Sequence, residues 1–118
     1  MKKTVTLKSG EPLELECNAA SRVIFKRHWD ENLLTGFQTI NQQDTDALLG
    51  FMEKVVYTFA KNAELGTVEA LKTRPTDEDF AIFLSRFEIL ELASEDIINT
   101  VTDMWGANMK TESQPKNQ

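Results

Sequence analysis

Asp44-Thr45-Asp46-Ala47-Leu48-Leu49-Gly50-Phe51-Met52-Glu53-Lys54-Val55-Val56-Tyr57-Thr58-Phe59-Ala60-Lys61-Asn62-Ala63 is the stretch that decides the fold. Leu48, Met52, Val55, Phe59 and Ala63 recur at helical spacing, and Leu49, Val56 and Ala60 widen the stripe. Gly50, Glu53, Lys54, Tyr57, Lys61 and Asn62 fall on the opposite side. The spacing predicts a one-sided amphipathic helix of about five turns, capped by Asp44 or Thr45. Such a helix must lay its stripe against other elements, so the flanking sequence has to supply them.

Upstream, residues 1–16 read as a β-hairpin. Val5 and Leu7 alternate with Thr4, Thr6 and Lys8, and Leu13 and Leu15 alternate with Glu14 and Glu16. Gly10, in Lys8-Ser9-Gly10-Glu11, can take the positive φ of a tight turn. Pro12 lacks a donor, so its strand should start at an edge. A helix from an Asn18 cap carries Ala20, Val23 and Ile24 on one face and Phe25 and Trp29 on a neighbouring one. It is expected to run through Leu33 and Leu34 and stop at Gly36. Residues 37–43 read as a loop.

Downstream, residues 64–75 form the weakest segment, where Val68, Ala70 and Leu71 suit one short turn. Thr76 caps a third helix with Asp77, Glu78 and Asp79 at its positive end and Phe80, Phe83, Leu84 and Phe87 on its buried face. Ser94 opens a fourth, with Ile97, Ile98, Val101, Met104 and Trp105 as its stripe and Gly106 loosening its end. The expected architecture is mainly α: an N-terminal hairpin, then about four helices in one small domain spanning residues 1–108. Residues 109–118 are expected to be a polar, flexible tail.

Composition agrees with one domain. The 118 residues are 41% apolar, enough for one conventional core. No apolar run approaches the roughly 20 residues needed to span a bilayer. Thr4, Thr6, Lys8 and Ser9 follow Met1-Lys2-Lys3 where a signal peptide would be apolar, so none is expected. The net charge is −6 and is unevenly spread. Residues 1–28 carry six basic and three acidic side chains, whereas residues 29–109 carry five basic and fifteen acidic ones. An acidic body disfavours nucleic acid and favours a basic protein surface.

Catalytic patterns are sparse. His28 is the single histidine and sits beside Lys26 and Arg27, which discourage its protonation. Cys17 is the single cysteine, which excludes an internal disulfide and a multi-cysteine metal site. It fits a reducing cytosol, and it reads as an inert buried thiol rather than a partner for His28. Asp77-Glu78-Asp79 lacks calcium-loop spacing and reads as a helix start. No glycine-rich phosphate loop occurs. The reading is therefore a non-enzyme without cofactor or metal.

The apolar surplus is more informative. Phe25, Trp29, Leu33, Leu34, Phe37 and Ile40 fall within sixteen positions and do not share one helix face. Either this helix is buried on two sides, or part of the set is an exposed patch that receives an amphipathic segment of another protein. Phe25, Trp29, Leu33, Leu34 and Phe37 are the candidate protein-binding residues.

The order of elements then resembles a family. A hairpin leads into Ser21-Arg22-Val23-Ile24-Phe25-Lys26-Arg27-His28-Trp29-Asp30; a long amphipathic helix follows, then Asp79-Phe80 with Phe83, Leu84 and Phe87, and a helix ending in Trp105. This resembles the tail assembly chaperones of long-tailed phages and prophages of Gram-positive hosts, over nearly the whole chain. The resemblance implies a small self-associating helical protein of the host cytoplasm, not retained in the finished virion, with residues 64–75 as a mobile arm that joins neighbouring subunits. Its expected partner is the tape measure protein, which it keeps soluble, and it recruits tail tube subunits through a longer frameshifted product. Pro115-Lys116-Asn117 can be encoded as CCA-AAA-AAC, a slippery sequence, which makes Lys116 and Asn117 the candidate frameshift position; a chance Pro-Lys-Asn is the plain alternative. No membrane or nucleic-acid partner is implied. The competing reading is a small DNA-binding regulator using Arg22, Lys26 and Arg27.

Overall fold

The computed structural model describes residues 1–109. The expected tail, with Lys116 and Asn117, lies outside the described residues apart from Met109. Strands β1 (Lys2–Thr6) and β2 (Pro12–Glu16) pair antiparallel, with Lys2 opposite Glu16 and Thr6 opposite Pro12. Gly10 has φ +95° and donates its N–H to the Leu7 carbonyl at 2.8 Å, closing the turn. Alternation sends Leu13 and Leu15 inward, where both are buried.

Six α-helices follow among the described residues: α1 (Ser21–Trp29), α2 (Leu33–Gln38), α3 (Thr45–Leu65), α4 (Thr67–Lys72), α5 (Asp77–Leu84) and α6 (Glu95–Met109). Short 3-10 turns occupy Ile40–Gln42 and Glu91–Ala93. The protein is thus mainly helical behind a hairpin, as the periodicity implies. Helix α3 starts as expected: the Asp44 side chain accepts the Ala47 N–H at 2.8 Å. Thr76 and Asp79 close a capping box at the start of α5.

Several details differ from expectation. The expected first helix is two helices. Asp30 takes the left-handed conformation, φ 55° and ψ 35°, and turns the chain between α1 and α2. Asn18 is not the cap of α1. Its Oδ1 accepts the Ala20 N–H at 2.9 Å in a local turn, and the helix begins at Ser21. Gly36 does not stop a helix either. It lies inside α2, where a Cβ would run into the Phe51 ring. Helix α6 continues through Gly106 to Met109.

The central part of α3 is buried nearly all round. Tyr57 and Asn62, assigned by spacing to its polar face, are buried together with Thr58. Each has a distant neighbour: Tyr57 meets Phe83 of α5 edge-on at 5.0 Å, and Asn62 donates from Nδ2 to the Glu16 carbonyl of β2 at 3.4 Å. One apolar cluster joins Leu7, Leu13 and Leu15 of the hairpin to Phe25, Phe37, Val55, Phe59, Leu92, Val101 and Met104. Helix α6 closes it. Trp105 stacks on Phe37 at 4.7 Å, and Asn108 Nδ2 donates to the Cys17 carbonyl at 3.1 Å.

Candidate functional site

The five residues expected to form a protein-binding surface are not exposed together. Phe25 and Leu33 are wholly buried, and Phe37 is buried between Phe51 and Trp105. Trp29 is half-buried, 4.9 Å from the Phe80 ring, and donates its indole N–H to Thr58 Oγ1 at 3.1 Å. Leu34 is half-buried as well. The physical reason is the turn at Asp30. It lets α1 and α2 present their apolar faces inward separately, so a set that could not fit one helix face fits two.

The expected mobile arm is likewise tied into the fold. Residues 67–72 form α4, and Ala70 is fully buried. Thr67 Oγ1 donates to Asn62 Oδ1 at 2.9 Å and accepts from Asn18 Nδ2 at 3.3 Å. His28 Nε2 lies 2.7 Å from the Ala70 carbonyl. A carbonyl only accepts, so Nε2 must carry the proton and Nδ1 is a bare acceptor. That Nδ1 is buried and has no partner among the described residues. Burial pushes the His28 pKa below its ordinary value, with Arg74 and Arg27 adding to the shift and the Ala70 bond opposing it.

Cys17 is also buried. Desolvation raises its thiol to about 11, against a lowering contribution from Ser21. A thiol held that high supplies little thiolate at neutral pH, and its polar neighbour is Ser21 rather than His28. Asp77, Glu78 and Asp79 form the first turn of α5. No group of three or more His, Cys, Asp or Glu among the described residues is arranged to hold a metal ion. Arg22, Lys26 and Arg27 are exposed on α1, where Lys26 pairs with Asp30 at 3.1 Å.

Val23 of α1 and Val68 of α4 face outward singly, and the outward-facing apolar side chains that lie near one another in sequence are elsewhere. Ile82 of α5 is 68% exposed, and Ile89 and Leu90 in the following loop are 87% and 58% exposed. That loop is held to the hairpin turn by polar links. Arg86 Nε donates to Glu11 Oε1 at 3.1 Å, and Lys8 Nζ lies 3.6 Å from Glu88 Oε1. The buried Glu91 carboxylate accepts the Lys8 N–H at 2.7 Å and the Glu88 N–H at 3.0 Å. Together these bonds fix the backbone on either side of Ile89 and Leu90, so both side chains are presented outward from a pinned loop.

Beside Ile82, an open groove of about 440 Å³ runs between α3 and α5, lined by Tyr57, Lys61, Leu65, Ile82, Phe83 and Arg86. Its cations are engaged: Lys61 pairs with Glu64 at 3.1 Å, and Arg86 with Glu11. Burial raises the Tyr57 phenol, helped by Asp79 and Glu64. The arrangement sets aliphatic side chains beside neutralised cations and one carboxylate, Asp79, that has no ion pair among the described residues. Periodicity did not single out Ile82, Ile89 or Leu90. The available signal was an aliphatic pair between Glu88 and Glu91, off every helical stripe.

Comparison of the chain with protein-family models, with curated proteins and with solved structures finds no match.

Proposed function

We propose that this chain is a tail assembly chaperone of a long-tailed phage or prophage. In this reading it binds the apolar helices of a tape measure protein and keeps them soluble. The observation that carries the proposal is the outward display of Ile82, Ile89 and Leu90 on a chain with net charge −6. Exposed aliphatic side chains grouped on one short segment favour a protein partner. The charged remainder keeps a complex in solution. The order of hairpin, long amphipathic helix and Trp105-bearing last helix supports the same reading through the resemblance. No helix among the described residues is long and apolar enough to cross a membrane. Recruitment of tail tube subunits would fall to a longer product, with slippage at Lys116 and Asn117.

The test is co-expression with a tape measure protein. The chain should raise the soluble yield of that protein and co-purify with it. Replacing Ile89 and Leu90 together by serine should remove both effects while the far-ultraviolet spectrum stays unchanged. Equal yield with the double variant would refute this surface, and failure of the unaltered chain to bind would refute the chaperone reading.

The exposed Arg22, Lys26 and Arg27 favour the competing DNA-binding regulator. A salt-sensitive mobility shift, lost when these three are replaced by glutamine, would favour that reading instead.

A further inference from the structure

Tyr57 is 3% exposed, yet its hydroxyl reaches the groove between α3 and α5 and has no hydrogen-bond partner among the described residues. A tyrosine buried to this degree usually finds a partner for its hydroxyl. The charged groups that act on this phenol are Asp79 and Glu64, and both add to the rise that burial gives its pKa. The neighbouring cations are committed elsewhere. Lys61 pairs with Glu64 at 3.1 Å, and its ammonium stands over the face of the Tyr57 ring, 5.5 Å from the centre. Arg86 is held by Glu11 at 3.1 Å, and Arg74 acts on His28. Asp79 accepts the Thr76 N–H through Oδ2 at 3.2 Å, and its Oδ1 has no partner among the described residues.

These two acceptors, the Asp79 carboxylate and the Tyr57 hydroxyl, lie beside apolar side chains. Leu65 and Ile82 line the same groove and are 36% and 68% exposed. On α5, Glu78 and Asp79 precede Ile82 by one turn and are exposed without ion pairs among the described residues, whereas Arg86, one turn after it, is neutralised.

We propose that the segment received at the Ile82–Leu90 surface is an amphipathic helix that seats an arginine or lysine in this groove, between the Asp79 carboxylate and the Tyr57 hydroxyl. This rests on the reading of that surface as one that receives a protein helix, and adds what the partner must carry. The guest cation donates to both acceptors, and its aliphatic stem lies against Ile82 and Leu65. An acidic guest could accept from the hydroxyl, but it would bring a third carboxylate to Asp79 and Glu64. A second copy is poorly suited. Its residues 77–91 bring one cation, Arg86, already bound to Glu11, and its α1, with Arg22, Lys26 and Arg27, exposes Val23 alone among large apolar side chains.

The probes are two helical peptides of identical composition and net charge. One has a leucine stripe flanked by arginine, with glutamate on its far face; the other exchanges the two charged sets. Equal net charge cancels long-range attraction to the acidic body. By calorimetry the arginine-flanked peptide should bind about tenfold tighter. Its binding should shift the nuclear magnetic resonance signal of Tyr57, the single tyrosine of the chain. Tyr57→Phe removes only the hydroxyl, and Asp79→Asn keeps an acceptor for Thr76. Each should lower the affinity ratio about threefold or more, with the circular dichroism spectrum unchanged. Binding of neither peptide overturns the receiving surface itself and this inference with it. Equal binding, an unshifted Tyr57 signal, or a preference that both variants retain overturns the inference and leaves that surface standing. Self-association without peptide that Asp79→Asn abolishes assigns the groove to a second copy and overturns it as well.

Discussion

At Gly36 the absence of a side chain is a packing requirement. The Phe51 ring occupies the space a Cβ would need, inside a helix whose backbone angles any residue accepts. Gly36→Ala should therefore destabilise the protein by about 1–3 kcal/mol through overpacking, although alanine is the better helix former. Urea titration measures it; a stabilised variant would mean that α2 and α3 can move apart freely. His28 gives the residue-scale pH dependence. Its folded pKa lies below the ordinary 6.5, so the unfolded chain binds more protons between the two values. Its contribution is fully present above the ordinary value and is lost as pH falls through the folded one. Unfolding free energy should drop between pH 7 and about 5.5, a window above the ordinary carboxylate range, and His28→Gln should flatten that drop. Cys17 adds a third test. With the thiol at about 11 and the residue buried, it should react with a disulfide reagent only as fast as the fold opens. The buried thiol and the disfavoured protonation of His28 were legible in the sequence, but the contacts were not: Phe51 stands fifteen positions from Gly36, and Ala70 forty-two from His28.

Among the elements, the hairpin and α3 were readable because their signals are local. Leu13 and Leu15 alternate with glutamates, Gly10 sits in the turn, and Leu48 through Ala63 keep one helical stripe. The Asp30 turn was not readable, because a left-handed aspartate leaves no periodic mark and apolar residues continue on both sides of it. The turn accounts for the burial of Phe25, Leu33 and Phe37, which would crowd a single helix but pack well on two. Thr58 shows how such an element is held from outside. It accepts the Trp29 indole N–H and donates to the Lys54 carbonyl at 2.8 Å within α3. Thr58→Val keeps the volume and leaves the indole without its acceptor. It should cost about 1–3 kcal/mol, and Trp29 fluorescence should change in the native state. Unaltered fluorescence and stability would show that the α1–α3 contact rests on ring packing alone.

On the scale of the whole molecule, the first and last parts of the chain complete each other. Leu7, Leu13 and Leu15 of the hairpin share one core with Leu92, Ile97, Val101 and Met104, and the Asn108 bond to Cys17 joins positions 91 residues apart. Burial against α6 is therefore a late and non-local gain that must offset a long loop closure. It follows that a ribosome still elongating toward residue 95 holds a nascent chain whose hairpin leucines and Phe37 have no lid. Vectorial synthesis cannot protect them, and this protein should depend on holding factors in the cell until α6 has emerged.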